Sequence, residues 1–403
     1  MYKYLLLGLA LFLLIPASAN ADPMNITRLT THSSWEGTAR WSGDGSKIVF
    51  VAARNGGNQV WTMDSTGEDH NLQQITFDAF LARNPVFDPT SDSVCYTAFD
   101  NGGGIFKVEA VPNGTGRQLT TVSSDDYASY SWDGEWITFQ SLRGSNRTEI
   151  YKMEDDTGES SIVRLTFNGY YDDTPVFSPD GLTIAFSSFR HENFEIFSMD
   201  ARGEDFGIER LTETAEGVYN RGPSYSPDGR FIAFHSDRDG NYDLYYIDSR
   251  GEAQGLVRLT DNTNNDGGAH WCPVDDDKMV FNSNRIFGGS HDIYLGSQIP
   301  PMTDVPEDDD NIVLVPHNFE LFQNYPNPFN PSTKIHVALP EKEHVTIKVY
   351  NLMGQEISTL VDRELAMGTY DFDFDGADYS SGIYFYVMKA GDFVKSRKMT
   401  LLK

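Results

Sequence analysis

Phe177-Ser-Pro-Asp-Gly-Leu-Thr-Ile-Ala-Phe186 and Tyr225-Ser-Pro-Asp-Gly-Arg-Phe-Ile-Ala-Phe234 are two copies of one pattern, and that pattern decides the fold. An aromatic anchor precedes a Ser-Pro-Asp-Gly turn, in which Pro presets φ and Gly accepts a positive φ, so two strands are joined tightly. The Ile and Phe that follow, two residues apart, share one face of the second strand. Weaker copies have anchors at Trp41, Phe87, Tyr130 and Trp271, so the six anchors lie 46, 43, 47, 48 and 46 residues apart. That period matches one four-stranded propeller blade. The expected fold is all-β: a six-bladed β-propeller, followed by a small Ig-like β-sandwich.

After the hairpin, each repeat offers a third strand: Val60-Trp61, Ile105-Phe106, Ile150-Tyr151, Ile196-Phe197, Leu244-Tyr245 and Ile293-Tyr294. A fourth ends in Gln74-Ile-Thr76, Gln118-Leu-Thr120, Arg164-Leu-Thr166, Arg210-Leu-Thr212 or Arg258-Leu-Thr260, five copies for six blades. The missing copy stands at the other end, as Ile26-Thr-Arg28-Leu29-Thr30. This N-terminal strand is therefore expected to pair with the last three strands, closing the ring and covering its final open edge.

Six copies of Ser-Pro-Asp-Gly-x-x-Ile-Ala-Phe with trailing Arg-Leu-Thr resemble the TolB-like six-bladed propellers, a WD-repeat-like group, over about residues 26–296. The resemblance implies the fold. Such propellers occur in periplasmic scaffolds, peptidase accessory domains and lyases, so no single activity is implied.

The ends of the chain read differently. Lys3 precedes an apolar run, Leu5 to Ile15, too short to span a bilayer, and Ala19-Asn20-Ala21 places small residues where a signal peptidase reads. Residues 1–21 are expected to be a signal peptide, with cleavage near Ala21 and no transmembrane segment in the mature chain. Residues 22–298 then form the propeller. Residues 299–318, which include Pro-Pro-Met-Thr-Asp-Val-Pro-Glu-Asp-Asp-Asp-Asn, form an acidic Pro-rich linker. Residues 319–403 offer short alternating strands at Lys334 to Leu339, Val345 to Tyr350, Tyr370 to Phe374 and Gly382 to Met388.

In that last region Asn324-Tyr-Pro-Asn-Pro-Phe-Asn-Pro-Ser-Thr333, Val349-Tyr-Asn-Leu-Met-Gly-Gln355, Ser381-Gly-Ile-Tyr-Phe385 and Lys398-Met-Thr-Leu-Leu-Lys403 resemble the type A C-terminal sorting domain of type IX secretion. Asn351 stands where Asp is common in that family, and Gln355 where Arg is common. The resemblance implies Sec export, passage through the outer membrane with the type IX machinery as partner, and release or attachment at the cell surface.

A formal charge of −28 argues against a nucleic-acid partner, which needs clustered Lys and Arg. Residues 319–403 hold 11 acids against 9 bases, so the surplus lies upstream. Cys95 and Cys272 fall in repeats two and six, which are not neighbours in a ring of six, so no disulfide is expected.

Aligning the repeats with one another gives the candidate sites. Five residues before the anchors stand Glu36, Ala82, Asp125, Asp172, Asn220 and Asp266; the next position holds Gly37, Arg83, Asp126, Asp173, Arg221 and Gly267. Strand order places these loops on the same face as the loops between second and third strands. They should form a ring at one mouth of the pore, with Trp35, Tyr171 and Tyr219 as stacking platforms. The expected ligand-binding set is thus Trp35, Glu36, Arg83, Asp125, Asp126, Tyr171, Asp172, Asp173, Tyr219, Arg221 and Asp266. Its carboxylates suit Ca²⁺, or a ligand with cationic or hydroxyl groups, or merely form a solvated acidic rim.

A second set, Arg54, Arg143, Arg190, Arg238 and Arg285, follows the second-strand Phe. Four of these precede an acid: Glu149, Glu195, Asp243 and Asp292. Repeat two has Asp100 in the Arg place and Gly104 in the acid place, so both partners vanish together. Structural bridges Arg143–Glu149, Arg190–Glu195, Arg238–Asp243 and Arg285–Asp292 are expected. No Gly-x-Ser-x-Gly or His-Glu-x-x-His motif occurs, and His32, His70, His191, His235, His270 and His291 do not recur at one blade position. The sequence reads as a non-enzymatic propeller that binds a protein or glycan. The alternative is a glycan-active enzyme such as an oligouronide lyase.

Overall fold

The computed structural model describes residues 22–67, 71–77, 81–99, 102–201, 207–286, 290–302, 319–321, 324, 327, 329–391 and 393–402. The expected signal peptide, Asp100, His70 and most of the linker lie outside these.

The described residues before the sandwich form six four-stranded antiparallel sheets, each running outward from an innermost strand. In the fourth blade these strands are Asp172–Phe177, Thr183–Ser188, Glu195–Asp200 and Glu209–Arg210. The sixth blade takes its outer strand from the other end of the chain. Asn25–Arg28 pairs with Asp292–Ser297, Asn25 facing Ser297 and Arg28 facing Tyr294. The ring is closed by the N-terminal strand, as the stray Arg-Leu-Thr predicts, and the core follows: Trp41, Phe50 and Trp61 of the first blade pack with Cys272, Val280 and Ile293 of the sixth.

Each recurring residue has a local job. In the Ser-Pro-Asp-Gly turn, the Ser178 hydroxyl donates to Asp180 at 2.5 Å, while the Thr183 amide donates back to Ser178 at 3.0 Å. Gly181 takes φ +72°, the left-handed conformation that a side chain disfavours. Beyond the outer strand, the threonines Thr30, Thr76, Thr120, Thr166, Thr212 and Thr260 each accept the third-strand amide of their blade, at 2.9–3.0 Å. A buried amide left without that acceptor would carry its full desolvation penalty.

Every innermost strand carries a bulge, where its pairing with the second strand shifts register. The residues there, Thr38, Asn84, Tyr127, Thr174, Gly222 and Gly268, all adopt positive φ, between 47° and 66°. The bend aims the strand at the ring axis, and Thr38 and Thr174 are β-branched residues held in a conformation they seldom adopt.

The C-terminal unit is a two-layer sandwich. Glu320–Leu321, Ser332–Leu339 and Gly368–Asp375 form one sheet; Glu356–Leu365, Glu343–Asn351, Gly382–Ala390 and Phe393–Leu401 form the other. Phe329, Ile335, Ile347, Tyr386 and Met399 fill the space between them. Both cysteines are free and buried.

Candidate functional site

Two layers of ion pairs run through the blades, and they correct the expected bridges. The arginines after the second strand do not pair with the third-strand acids. They reach the acids at the start of the innermost strand: Arg54 pairs with Glu36 at 2.5 Å, Arg143 with Asp125, Arg190 with Asp172 at 2.9 Å, and Arg285 with Asp266 at 2.8 Å. In the fifth blade Arg238 donates to Asn220 at 3.2 Å, the amide standing where the others have a carboxylate. Each guanidinium also lies over aromatic rings of its blade, as Arg238 does over Phe234 and Tyr245 and Arg285 over Phe281 and Tyr294.

The third-strand acids belong to the Arg-Leu-Thr arginines instead. Arg164 holds Glu149, Arg210 holds Glu195, Arg258 holds Asp243 and Arg28 holds Asp292, at 2.6–2.9 Å. Burial pushes the Glu149 and Asp243 carboxyls up. Burial acts on Glu195 in the same direction, but hydrogen bonds from Thr212, Thr214 and Asn220 outweigh it and hold that carboxyl down.

The expected carboxylate ring is thereby split. Glu36, Asp125, Asp172 and Asp266 are fully buried and matched to arginines, so they are scaffold and not available as Ca²⁺ ligands. Among the described residues no three His, Cys, Asp or Glu side chains meet as a metal-holding group. The neighbouring position does reach the pore. Asp173 accepts Arg221 at 2.7 Å and the Thr148 hydroxyl at 2.5 Å; Asp126 accepts the Asn84 amide at 2.8 Å. Arg221 stacks on Phe194, 3.9 Å from the ring centre, and Arg83 on Phe99 at 4.8 Å.

The platforms hold different postures. Trp35 is exposed and lies across Gly37, where a Cβ would come within 2.6 Å of the indole and displace it. Tyr171 is exposed beneath the Arg147 guanidinium at 4.6 Å. Tyr219 is half-buried and tilted against Phe194. The ring of acids and arginines misses the tunnel residues: Arg40 and His270, each just before its anchor tryptophan, line the axis with Tyr127, His235 and His291 from other blade positions. The bulge is what turns the innermost strands inward, and a glycine marks it in only two of the six copies.

Residues 323–401 match the family model described as the secretion system C-terminal sorting domain. Two proteins named as TolB homologs, from Chlorobium chlorochromatii and Chlorobium luteolum, are each 30% identical to the chain. The matches cover 38% and 40% of this chain and 33% and 36% of theirs. The chain thus matches about a third of the length of these curated relatives. A solved structure described as a TolB candidate, from Agrobacterium tumefaciens, superposes with a TM-score of 0.53 at 20% identity, over 68% of this chain and 97% of that one.

The chain is a TolB-like propeller joined to a secretion sorting domain. The sorting domain marks it for secretion or for the outer-membrane surface. A gluconolactonase from Xanthomonas campestris superposes on the TolB-like propeller almost as well, with a TM-score of 0.51 at 16% identity, over 70% of this chain and 91% of that one. The shared fold therefore does not select a chemistry, which falls instead to the side chains at the site.

Proposed function

We propose that this TolB-like propeller is a non-enzymatic binding scaffold, exported by Sec, sorted by its C-terminal domain through type IX secretion, and used on one face to hold a protein or glycan. One observation carries the reading. Among the described propeller residues the exposed aromatic side chains are Trp35, Phe77, Phe99, Phe167, Tyr170 and Tyr171. Five lie in loops entering an innermost strand and Phe99 lies in a loop between second and third strands, so all six share one face. Among the described residues the opposite face exposes only aliphatic side chains of this kind, such as Val111 and Val274.

Aromatics interleaved with Arg83, Arg147 and Arg164 have the composition of binding hot spots, and their flat faces also suit sugar rings. The test is a glycan array and a surface-protein panel probed with the exported chain and with a Trp35→Ala/Tyr171→Ala double variant. Saturable binding that weakens at least tenfold in the variant, with unchanged melting, supports the face. Turnover of uronate oligomers by the wild-type chain would instead make it an enzyme.

A further inference from the structure

Below the aromatic face the ring axis is a tunnel of about 390 Å³, lined by all six innermost strands. A second hollow of about 490 Å³, edged by Trp35, Arg83 and Asp126, shares Thr38, Asn84 and Tyr127 with it. The tunnel thus adjoins the mouth on that face at these three residues.

The charge inside the tunnel is opposite to that of the chain. Its carboxylates are already matched, Asp173 by Arg221 at 2.7 Å and Asp266 by Arg285 at 2.8 Å. Arg40 has no carboxylate partner among the described residues. Its Nη1 donates to the carbonyls of Ala39 at 3.0 Å and Gly268 at 3.2 Å, which leaves the Nε and Nη2 donors with no acceptor among the described residues. Burial lowers the Arg40 guanidinium to about 10. The Tyr127 hydroxyl has no hydrogen-bond partner among the described residues, and Tyr127 lines the same cavity as Arg40; the Nδ1 of His235, sealed from solvent, is likewise unsatisfied.

Two unanswered polar groups on one cavity, the Arg40 guanidinium and the Tyr127 hydroxyl, describe a seat. The free Nε–Nη2 edge of a guanidinium matches a carboxylate in two parallel hydrogen bonds. A single unmatched positive charge balances a monoanion, whereas a phosphate dianion would remain half-compensated in a low-dielectric tunnel. We propose that the tunnel binds a small carboxylic acid, its carboxylate held by Arg40 and by the Tyr127 hydroxyl, with His235 closing one side.

This seat uses residues other than those of the aromatic face, so the Trp35→Ala/Tyr171→Ala variant leaves it intact and the two readings fail separately. The experiment is calorimetric titration of the exported chain with glucuronate against glucose, with N-acetylglycine against N-acetylglycinamide, and with inorganic phosphate. A charge-assisted pair predicts that at least one acid binds tenfold or more tightly than its neutral counterpart. Arg40→Gln should abolish that preference and Arg40→Lys should keep part of it. Tyr127→Phe should weaken acid binding severalfold even if the Arg40 variants do not fold. Preference for glucuronate identifies an acidic sugar as the source, and preference for N-acetylglycine a peptide terminus. Equal binding of acid and neutral forms, phosphate binding tighter than either acid, or an Arg40→Gln protein that folds and keeps the preference would overturn the proposal.

Discussion

Asp172 and Asn220 occupy equivalent places in neighbouring blades, yet they set different penalties for losing their arginines. Asp172 is fully buried, and without Arg190 its carboxylate would keep the Ser188 hydroxyl and the Asn168 amide as donors but no cation. Arg190→Ala should therefore destabilise the propeller by about 3 kcal/mol, the range for orphaning a buried charge. Arg238→Ala leaves a neutral amide and the partly exposed Glu252, and about 1 kcal/mol is expected. Chemical denaturation of both variants checks the order. Repeat two is silent on these partners, since Ala82, Gly104 and Gln118 all depart from the pattern there, but repeat one assigns them: it keeps Arg54 and Glu36 while Gln59 and Gln74 replace the third-strand acid and the outer-strand arginine. The arginines are legible as scaffold, and which acid each one holds is legible in repeat one alone. Acid sensitivity belongs to this scale as well. Burial, with Arg221 and Arg40 nearby, lowers His235 from 6.5 to about 4, and burial moves His270 in the same direction. A histidine held neutral in the fold contributes stability that is present above pH 6.5 and lost as pH falls through about 4. The melting temperature should drop across that window, and His235→Gln should flatten part of the drop.

At the level of the element, the outer strand and the bulge show two kinds of legibility. Arg-Leu-Thr can be read because each residue is chemically distinct: the arginine and the threonine hydroxyl clamp the third-strand acid while the leucine fills the core, as with Arg210, Leu211 and Thr212 around Glu195. The bulges are hidden because Thr38, Tyr127 and Thr174 are not residues that announce a positive φ, and Asn84, which tolerates one, stands there in a single repeat. The conformation of Thr38, Tyr127 and Thr174 is imposed by the ring around them, so only Gly222, Gly268 and Asn84 hint at it. Thr38→Gly should accordingly stabilise the propeller by about 1 kcal/mol, since the threonine hydroxyl donates only to the neighbouring Gly37 carbonyl. A thermal melt decides the sign. In the sandwich, Glu356–Leu365 and Phe393–Leu401 escape sequence reading because charged and polar residues crowd their solvated faces, whereas the four strands with clear alternation are found.

For the whole molecule, the two parts are separable in their tasks. Truncation after residue 318 should leave the propeller's melting unchanged while the protein fails to leave the cell envelope, which fractionation and immunoblotting would show. The fold is open to reading at this scale because a sixfold repeat overrides weak local signals, and the ring leaves one place for the stray N-terminal strand. That strand also sets an order of events. During export the residues that will face Ser297 emerge first and must wait, unpaired, until nearly the whole propeller has followed. The last blade keeps a raw edge until then, and its completion coincides with the arrival of the segment that precedes the sorting domain. The seam thus ties completion of the propeller to its last strand, Asp292–Ser297, which directly precedes the linker to the sorting domain.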